Sequence, residues 1–256
     1  MAEQQTDAAR RDQLERNLSA VQHRIAAAAA LRDAPPPTLI VVTKFHPASD
    51  VRILSTLGIS DFGENRDQEA AAKAADVAGF AETAAAPPRW HFIGQLQSNK
   101  AKSVVKYAHS VHSVDRLQLA DALDKAMAAE SGRTGRAPLE CFIQVNLDER
   151  ATASSGQSGA GQRGGASPAD VPELADRIAS SGLLRLAGLM AVAPLGVPAE
   201  GAFEKLAGIS ARLQADHPGA SGVSAGMSQD LEAAIRFGAT HLRIGSDILG
   251  SRPAVG

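Results

Sequence analysis

The chain has 256 residues, and its 26 basic and 28 acidic residues give a formal charge of −2. This near balance, without a long run of one sign, argues against nucleic acid or an anionic membrane as a partner, because both attract a concentrated basic surface. The length suits one large domain with a substantial core. A small anionic ligand remains compatible with this composition.

The sequence predicts neither a targeting segment nor a membrane span. Residues Met1–Asp7 are polar and acidic, and no stretch reaches the roughly 20 apolar residues that a spanning helix needs. The single cysteine, Cys141, lies in an apolar run, and free cysteines are usually buried. We therefore expect a cytoplasmic protein whose only thiol is packed in the core.

A leading helix is predicted before the first strand. Apolar residues recur at helical spacing from about Ala8 to Arg32, and prolines 35–37 end the pattern. Eight short β-like runs follow, and several are too uniformly apolar for a sheet with one exposed face. They are Thr38–Lys44, Ile59–Gly63, Arg89–Gly94, Ser110–Val114, Leu139–Asn146, Leu184–Val192, Gly222–Ser228 and His241–Ser246.

Helix-like segments separate most of these runs. They are Gln68–Ala78, Arg116–Glu130, Pro172–Ser180, Phe203–Gln214 and Asp230–Phe237. Alternation of strands and helices predicts a parallel α/β fold, and eight repeats favour a single (β/α)8 barrel of the TIM type over an open doubly wound sheet. We assign residues 1–37 to an N-terminal helix and linker that pack on the barrel, and residues 38–256 to the barrel.

Residues Ala151–Ser167 interrupt this alternation. The segment is rich in Gly and Ser and has almost no large apolar side chain, so it cannot bury enough surface to offset the entropy of ordering it. We expect a flexible insertion after the fifth strand, and a lid over the barrel end is the alternative.

Lys44 ends the first β-like run, on the same strand face as Ile40 and Val42. If that face is the barrel interior, apolar walls disfavour the charged amine and lower its pKa toward the range in which it can attack a carbonyl. A solvated lysine at a strand end is the alternative, because most lysines are exposed.

Met227 and Ser228 close the seventh run, and Arg243–Ser246 closes the eighth. Backbone N–H groups and hydroxyls at such places form anion pockets, and phosphate sites of barrels often use the loops after strands 7 and 8. Ser and Gly are also ordinary turn and cap residues. Together with Lys44, these residues suggest a ligand that carries both an aldehyde and a phosphate.

Other polar residues near strand ends support fewer conclusions. Asn65 follows the second run, and its amide can bond a phenolate-type oxygen or cap a turn. Glu64 and Asp67 suit a helix N-terminus as well as acid/base work, so neither is given a catalytic role. The histidines do not form a closed ligand set, and we predict no metal site.

Seven segments occur in a recognisable order along nearly the whole chain from Thr38 to Arg252. They are Val41–Lys44, Phe62–Asn65 followed by Gln68 and Glu69, Trp90–Lys100, Val111–Asp115, Gly188–Ala191, Gly226–Ser228 and Arg243–Ser246. This pattern resembles the pyridoxal phosphate homeostasis protein family (YggS/PROSC type), which is similar in fold to the N-terminal barrel of alanine racemase. The cofactor that this resemblance implies is pyridoxal 5'-phosphate (PLP).

The resemblance also implies roles for individual residues. Lys44 would form the Schiff base with PLP, and Arg243 would face the pyridine nitrogen. The phosphate would be bound by Ser228, Gly245 and Ser246, with Asn65 near the ring and Ser224 supporting Arg243, and Met227 is also a predicted cofactor-binding residue. Because arginine stays protonated, it donates to the ring nitrogen but cannot supply a proton, which leaves the ring a poorer electron sink.

Two residues and one loop depart from the usual family pattern. Ala225 stands where a methionine is common, which removes one apolar side chain. Ser246 replaces a commoner threonine and keeps the hydroxyl. The loop after Asn146 is longer and richer in Gly and Ser, so the family's contacts from that side of the barrel are not transferred here.

We predict a PLP carrier or regulator that acts in intracellular PLP homeostasis without robust turnover. Its expected partners are PLP, other B6 vitamers or amino acids, and PLP-dependent acceptor enzymes, and a monomer is expected. A single-domain PLP-dependent racemase is the alternative, but the only tyrosine, Tyr107, is placed on a helix between the third and fourth runs, away from a second-base position. A barrel that binds another phosphorylated metabolite without a covalent bond is a third possibility.

Overall fold

The computed structural model describes residues 2–79, 86–148, 164–194 and 196–251. Its eight strands form a closed barrel in which each strand pairs in parallel with the next and β8 pairs with β1. The strands are β1 Thr38–Val42, β2 Asp61–Glu64, β3 Arg89–Phe92, β4 Ala108–Val114, β5 Leu139–Gln144, β6 Leu184–Met190, β7 Gly222–Ser224 and β8 His241–Ile244. The predicted (β/α)8 barrel is confirmed.

Helices surround the barrel and join its strands. They are α1 Ala2–Ala29, α2 Ala48–Thr56, α3 Asp67–Ala78, α4 Ala101–Val104, α5 Leu117–Thr134, α6 Val171–Ala179, α7 Ala199–Asp216, α8 Leu231–Arg236 and α9 Ser246–Leu249, with short 3₁₀ turns at Ser98–Lys100 and Pro168–Asp170. Helix α2 was missing from the sequence prediction. Only two apolar side chains of this short helix are buried, Val51 and Leu54, which is too few to show a helical period.

Several strands end earlier than their apolar runs predicted. Strand β7 stops at Ser224 rather than Ser228, and β1 stops at Val42, so that Lys44 lies in a turn beyond the strand. The next residue, Phe45, has a φ of 69°, in the left-handed region that a strand cannot continue through. The strand end is therefore set by a local turn that hydropathy does not reveal.

Side chains inside the barrel and outside it pack differently. Val41 belongs to the large apolar core between the strands and the helices. Ile40 and Val42 face the interior, where they lie against Gly63: a Cβ at that glycine would come within 3.1 Å of Ile40 Cγ2. The predicted alternation of Ile40, Val41 and Val42 between the two faces of β1 is therefore confirmed.

Helix α1 packs across the barrel near its first and last elements. Its apolar stripe of Leu14, Leu18, Val21 and Ile25 is buried, as the helical spacing predicted. Polar contacts add to this packing: Arg10 pairs with Asp50 of α2 at 2.6 Å, and Asn17 Nδ2 donates to the Ile248 carbonyl of α9 at 2.9 Å. No helix within the described residues is long and apolar enough to cross a membrane.

The predicted Gly/Ser insertion lies mainly outside the described residues, which resume at Gly164. From there the chain follows the end of β5, because Ala166 forms a parallel bridge with Val145 and Gln144 Nε2 donates to the Gly164 carbonyl at 2.6 Å. The last residues of the predicted segment are thus bonded to the barrel. Cys141 is fully buried on β5, as predicted.

Candidate functional site

The predicted site residues gather where the strands end. Lys44 and Asn65 follow β1 and β2, while Arg243 and Ser246 lie at the end of β8 and just beyond it. Strand β1 pairs with both β2 and β8, with Val41 opposite Phe62 on one side and Ile244 on the other. Parallel pairing therefore brings residues that are about 200 positions apart in the sequence to one end of the barrel.

Two hydroxyls meet at the corner between β7 and β8. Ser228 Oγ lies 3.3 Å from Ser246 Oγ, and both side chains border solvent. Gly245 immediately precedes α9 and lies close to β1. A Cβ on this glycine would lie 3.1 Å from the Val42 carbonyl oxygen. Met227 is partly exposed, and its N–H donates to Asp230 Oδ1 at 2.6 Å. We call Met227, Ser228, Gly245 and Ser246 the hydroxyl corner.

The turn that leads into this corner depends on Gly226. Its φ of 93° is one that side-chain-bearing residues rarely adopt, and a Cβ would lie 2.7 Å from Ala234 Cβ and 2.8 Å from Leu242 Cδ2. The Gly226 carbonyl accepts from the Arg243 N–H at 3.0 Å. The neighbouring Ala225, where the family usually has methionine, is buried.

Arg24 of α1, which was not among the predicted site residues, braces the hydroxyl corner. Its guanidinium donates to the Ser228 carbonyl at 2.9 Å and pairs with Asp247 at 2.8 Å and with Glu232 at 2.8 Å. One side chain therefore ties the loop after β7 to the first turn of α9. Arg24 occupies a polar position of an amphipathic helix, which in the sequence has no feature that separates it from a solvated residue.

Arg243 is buried at the end of β8. Its Nη1 donates to Ser224 Oγ and its Nη2 to the Ala191 carbonyl, both at 2.8 Å. The predicted support of Arg243 by Ser224 is thus a direct hydrogen bond. Burial lowers the pKa of Arg243 to about 10, so the guanidinium stays charged at neutral pH.

A column of buried polar side chains continues from Ser224 through the barrel interior. His112 Nδ1 lies 2.8 Å from Ser224 Oγ, and its Nε2 lies 2.9 Å from Ser110 Oγ. Ser110 Oγ lies 2.7 Å from His91 Nδ1, and His91 Nε2 lies 2.9 Å from Asp61 Oδ1. The histidine spacing in the sequence bears only on metal binding, and the described residues contain no cluster of three or more His, Cys, Asp or Glu side chains that could hold a metal ion.

The charges of this column follow from its surroundings. Burial lowers the pKa of both His91 and His112, so both imidazoles are neutral near pH 7. Burial acts to raise the pKa of Asp61, but hydrogen bonds from His91 and Arg89 outweigh it and hold that pKa well below its usual range. Asp61 is therefore an ionised carboxylate at the strand-start end of the barrel.

The turn that carries Lys44 is held by a buried ionic network. Lys73 of α3 donates to the Thr43 carbonyl, to Glu64 Oε1 and to Glu69 Oε1, each at 2.7 Å. Glu69 Oε1 also accepts from the Phe45 N–H at 2.5 Å. Both residues that flank Lys44 are thus fixed by the same lysine and glutamate, and Glu64, to which no role was assigned, is part of this support.

Lys44 itself is half-buried and has interactions of its own. Near it, Asn65 Oδ1 is buried and has no hydrogen-bond partner among the described residues. A buried acceptor without a partner is costly, and such atoms mark places where a ligand or water completes the bonding. One end of the barrel therefore carries the Lys44 amine, the unpartnered Asn65 amide oxygen, two neighbouring hydroxyls and the buried Arg243 guanidinium. This set of groups fits a phosphorylated pyridine that bears an aldehyde.

Tyr107 differs from its predicted placement. It lies in the turn immediately before β4 rather than on a helix, because α4 ends at Val104. Its hydroxyl donates to Asp67 Oδ1 at 3.3 Å, and burial raises the pKa of the phenol. Tyr107 is therefore poorly suited to proton transfer.

Comparison with known proteins agrees with this geometry. The chain matches the family model for the alanine racemase N-terminal domain over residues 16–253. It is 40% identical to the pyridoxal phosphate homeostasis protein of Mycobacterium leprae over 250 residues, which cover 94% of this chain and 93% of that protein. It belongs to this family. The protein of the same name from Escherichia coli K12 is 36% identical over 92% of this chain and 95% of its own length.

Solved structures of similar proteins show the same barrel. PipY of Synechococcus elongatus, solved with PLP bound, shares 31% identity and superimposes with a TM-score of 0.73 over 93% of this chain and 100% of its own. An alanine racemase of Corynebacterium glutamicum has a TM-score of 0.67 at 12% identity, and this chain covers 62% of it. At that identity the likeness to the racemase shows the fold alone.

Proposed function

We propose that this chain binds PLP covalently on Lys44 and acts in intracellular PLP homeostasis, holding the cofactor rather than turning over a substrate. The observation that carries the proposal is the hydroxyl corner: Ser228 Oγ and Ser246 Oγ lie 3.3 Å apart on the loops after β7 and β8, and β8 pairs with the strand that precedes Lys44. Relatives that cover most of this chain are named for the same role.

Each site residue has a distinct part in this proposal. Lys44 supplies the amine that holds the aldehyde carbon, and its turn is fixed by Lys73 and Glu69. Ser228 and Ser246 donate to the phosphate, with backbone N–H groups of the corner beside them. Asn65 bonds a polar group on the ring. When bound, PLP supplies an electrophilic carbonyl and an electron sink.

Arg243 determines how strong that sink is. A guanidinium with a pKa of about 10 donates to the pyridine nitrogen and does not release a proton to it near pH 7. The ring nitrogen therefore stays unprotonated. Together with the burial of the Tyr107 hydroxyl against Asp67, this favours retention of PLP over amino-acid racemisation.

We further propose that the protein works in the cytoplasm as a monomer and passes PLP to acceptor enzymes, with other B6 vitamers or amino acids as additional ligands. The exposed position of the hydroxyl corner supports exchange, because both serine hydroxyls border solvent. Size-exclusion chromatography with light scattering gives the oligomeric state, and a dimer at working concentration would contradict the monomer.

The first test is covalent loading. Wild-type protein incubated with PLP should develop a visible absorbance band, and borohydride followed by peptide mass spectrometry should place the label on Lys44. Lys44→Ala should lose both signals, whereas Lys125→Ala, at an exposed lysine of α5, should keep them. Wild-type protein that stays colourless with excess PLP would contradict the proposal. Sustained formation of D-amino acids from L-amino acids would instead favour the racemase.

A further inference from the structure

The hydrogen bonds of the buried column can be assigned so that all of them run in one direction. Arg243 can only donate, and the Asp61 carboxylate can only accept. Neutral His91 must therefore carry its hydrogen on Nε2, 2.9 Å from Asp61 Oδ1, which leaves Nδ1 to accept from Ser110 at 2.7 Å. We assign the hydrogen of His112 to Nε2, which lies 2.9 Å from the Ser110 oxygen and 3.0 Å from His91 Nδ1, so that either acceptor continues the same direction along the column.

The same logic fixes the upper half of the column. With its hydrogen on Nε2, His112 accepts at Nδ1 from the Ser224 hydroxyl at 2.8 Å. Ser224 Oγ in turn accepts from Arg243 Nη1 at 2.8 Å. In every hydrogen bond of the column the donor therefore lies on the Arg243 side and the acceptor on the Asp61 side. Each acceptor atom, with its partial negative charge, faces toward Arg243.

This direction matters for the charge of Arg243. Within the described residues, its side-chain hydrogen-bond partners are the Ser224 hydroxyl and the Ala191 carbonyl, and neither is a carboxylate. A buried cation is costly without compensation, and aligned hydrogen bonds strengthen one another in a low-dielectric interior. All six side chains of the column are buried, and Phe142 stacks on His112 with ring centroids 4.2 Å apart. Asp230 acts on Arg243 electrostatically without a hydrogen bond to it, and the carboxylate at the end of the chain of hydrogen bonds is Asp61.

We infer that Asp61, at the far end of the barrel, is a positioning residue for Arg243 that acts through His91, Ser110, His112 and Ser224. It fixes the direction of the column, and the column holds the guanidinium where it can donate to the ring nitrogen. This inference rests on the proposed binding of PLP. The coupling needs no motion of the barrel, only an unbroken set of oriented hydrogen bonds.

The tautomers can be tested without any cofactor. Imidazole ¹⁵N spectra of the PLP-free protein should show His91 and His112 both as neutral Nε2–H tautomers, assigned with His91→Gln and His112→Phe. An Nδ1–H tautomer at His112 would reverse the column and overturn the inference. Because this measurement needs no PLP, it separates failure of the column from failure of the proposed function.

The coupling is tested by a double-mutant cycle on the dissociation constant for PLP. Asp61→Asn keeps an acceptor for His91 but removes the charge, and it should weaken PLP binding about fivefold, on the order of one hydrogen bond. His112→Phe keeps the stack on Phe142 and breaks the column. In that background Asp61→Asn should have less than about a twofold effect, because the two residues act in series.

Arg89→Gln is the matched control. It removes the ion pair of Arg89 with Asp61, 2.7 Å long, but leaves the column in place, so PLP affinity should stay within about twofold of wild type. Equal effects of Asp61→Asn with and without His112 would overturn the inference, as would a loss of affinity in Arg89→Gln as large as that in Asp61→Asn. Thermal melting of each variant shows which ones are folded.

Discussion

The two ends of the barrel are polar in different ways. At the strand-start end, ionisable side chains pair with one another: Asp61 with Arg89 at 2.7 Å, and Glu140 with both His109 and Arg185. At the strand-finish end, Ser228 and Ser246 present hydroxyls, and Asn65 Oδ1 has no partner among the described residues. An end whose polar groups satisfy each other contributes stability, whereas an end that leaves them open can bind a ligand.

The Lys44 turn lies at the strand-finish end but, unlike the hydroxyl corner, it is held by a buried ionic network. Lys73→Met removes the cation that faces Glu64, whose side chain is only 1% exposed, and should lower the free energy of unfolding by about 3–5 kcal/mol. Denaturant titration measures this loss. Lys73→Met combined with Glu64→Gln should recover part of it, and no recovery would show that packing rather than charge explains the loss.

The hydroxyl corner should show the opposite behaviour. Ser228→Ala combined with Ser246→Ala removes the two proposed donors to the phosphate and should weaken PLP binding about 100-fold, at about 1.5 kcal/mol for each charge-assisted bond. Binding of pyridoxal, which lacks the phosphate, should be unchanged. The free energy of unfolding should move by less than about 0.5 kcal/mol because both side chains border solvent. Equal losses for PLP and pyridoxal would place the phosphate elsewhere.

The contribution of the strand-start end to the free energy of unfolding should depend on pH. Burial acts to raise the pKa of Glu140, but hydrogen bonds from His109 and Arg185 lower it to about 2 from a usual 4.5. A carboxyl whose folded pKa is depressed stabilises the fold above its unfolded pKa and loses that contribution as pH falls through the folded value. Glu140→Gln should therefore cost about 1–2 kcal/mol at pH 7 and progressively less between pH 4.5 and 2. A difference from wild type that is constant with pH would contradict this.

The sequence was sufficient for the barrel because each strand is a short apolar run with both faces buried, and such runs stand out from the helices between them. Chain order also placed Lys44 and the hydroxyl corner beyond the ends of strands, whereas their binding roles stay predictions. It did not reveal Arg24, Lys73 or the His91 to His112 connection. Their partners lie on other elements, and a polar residue's contacts across space leave no local pattern in the chain.

The strand boundaries also escaped prediction for a physical reason. The predicted β-like runs continue past Val42 and Ser224, but the backbone turns there, at Phe45 in one case and at Gly226 in the other. Both turns lie beside site residues. The places where the pattern and the fold disagree are therefore those where the chain leaves the sheet to build the site.

Arg24 has a consequence for the order in which the molecule is completed. It lies in the first helix, and its partners Ser228, Glu232 and Asp247 lie close to the last strand. During synthesis the first helix emerges long before those partners exist, and contacts between distant parts of a chain form late because closing long loops is slow. The corner can acquire its complete brace only after the chain has passed β8, because Asp247 follows that strand, so a chain stalled before that point has an incompletely braced hydroxyl corner.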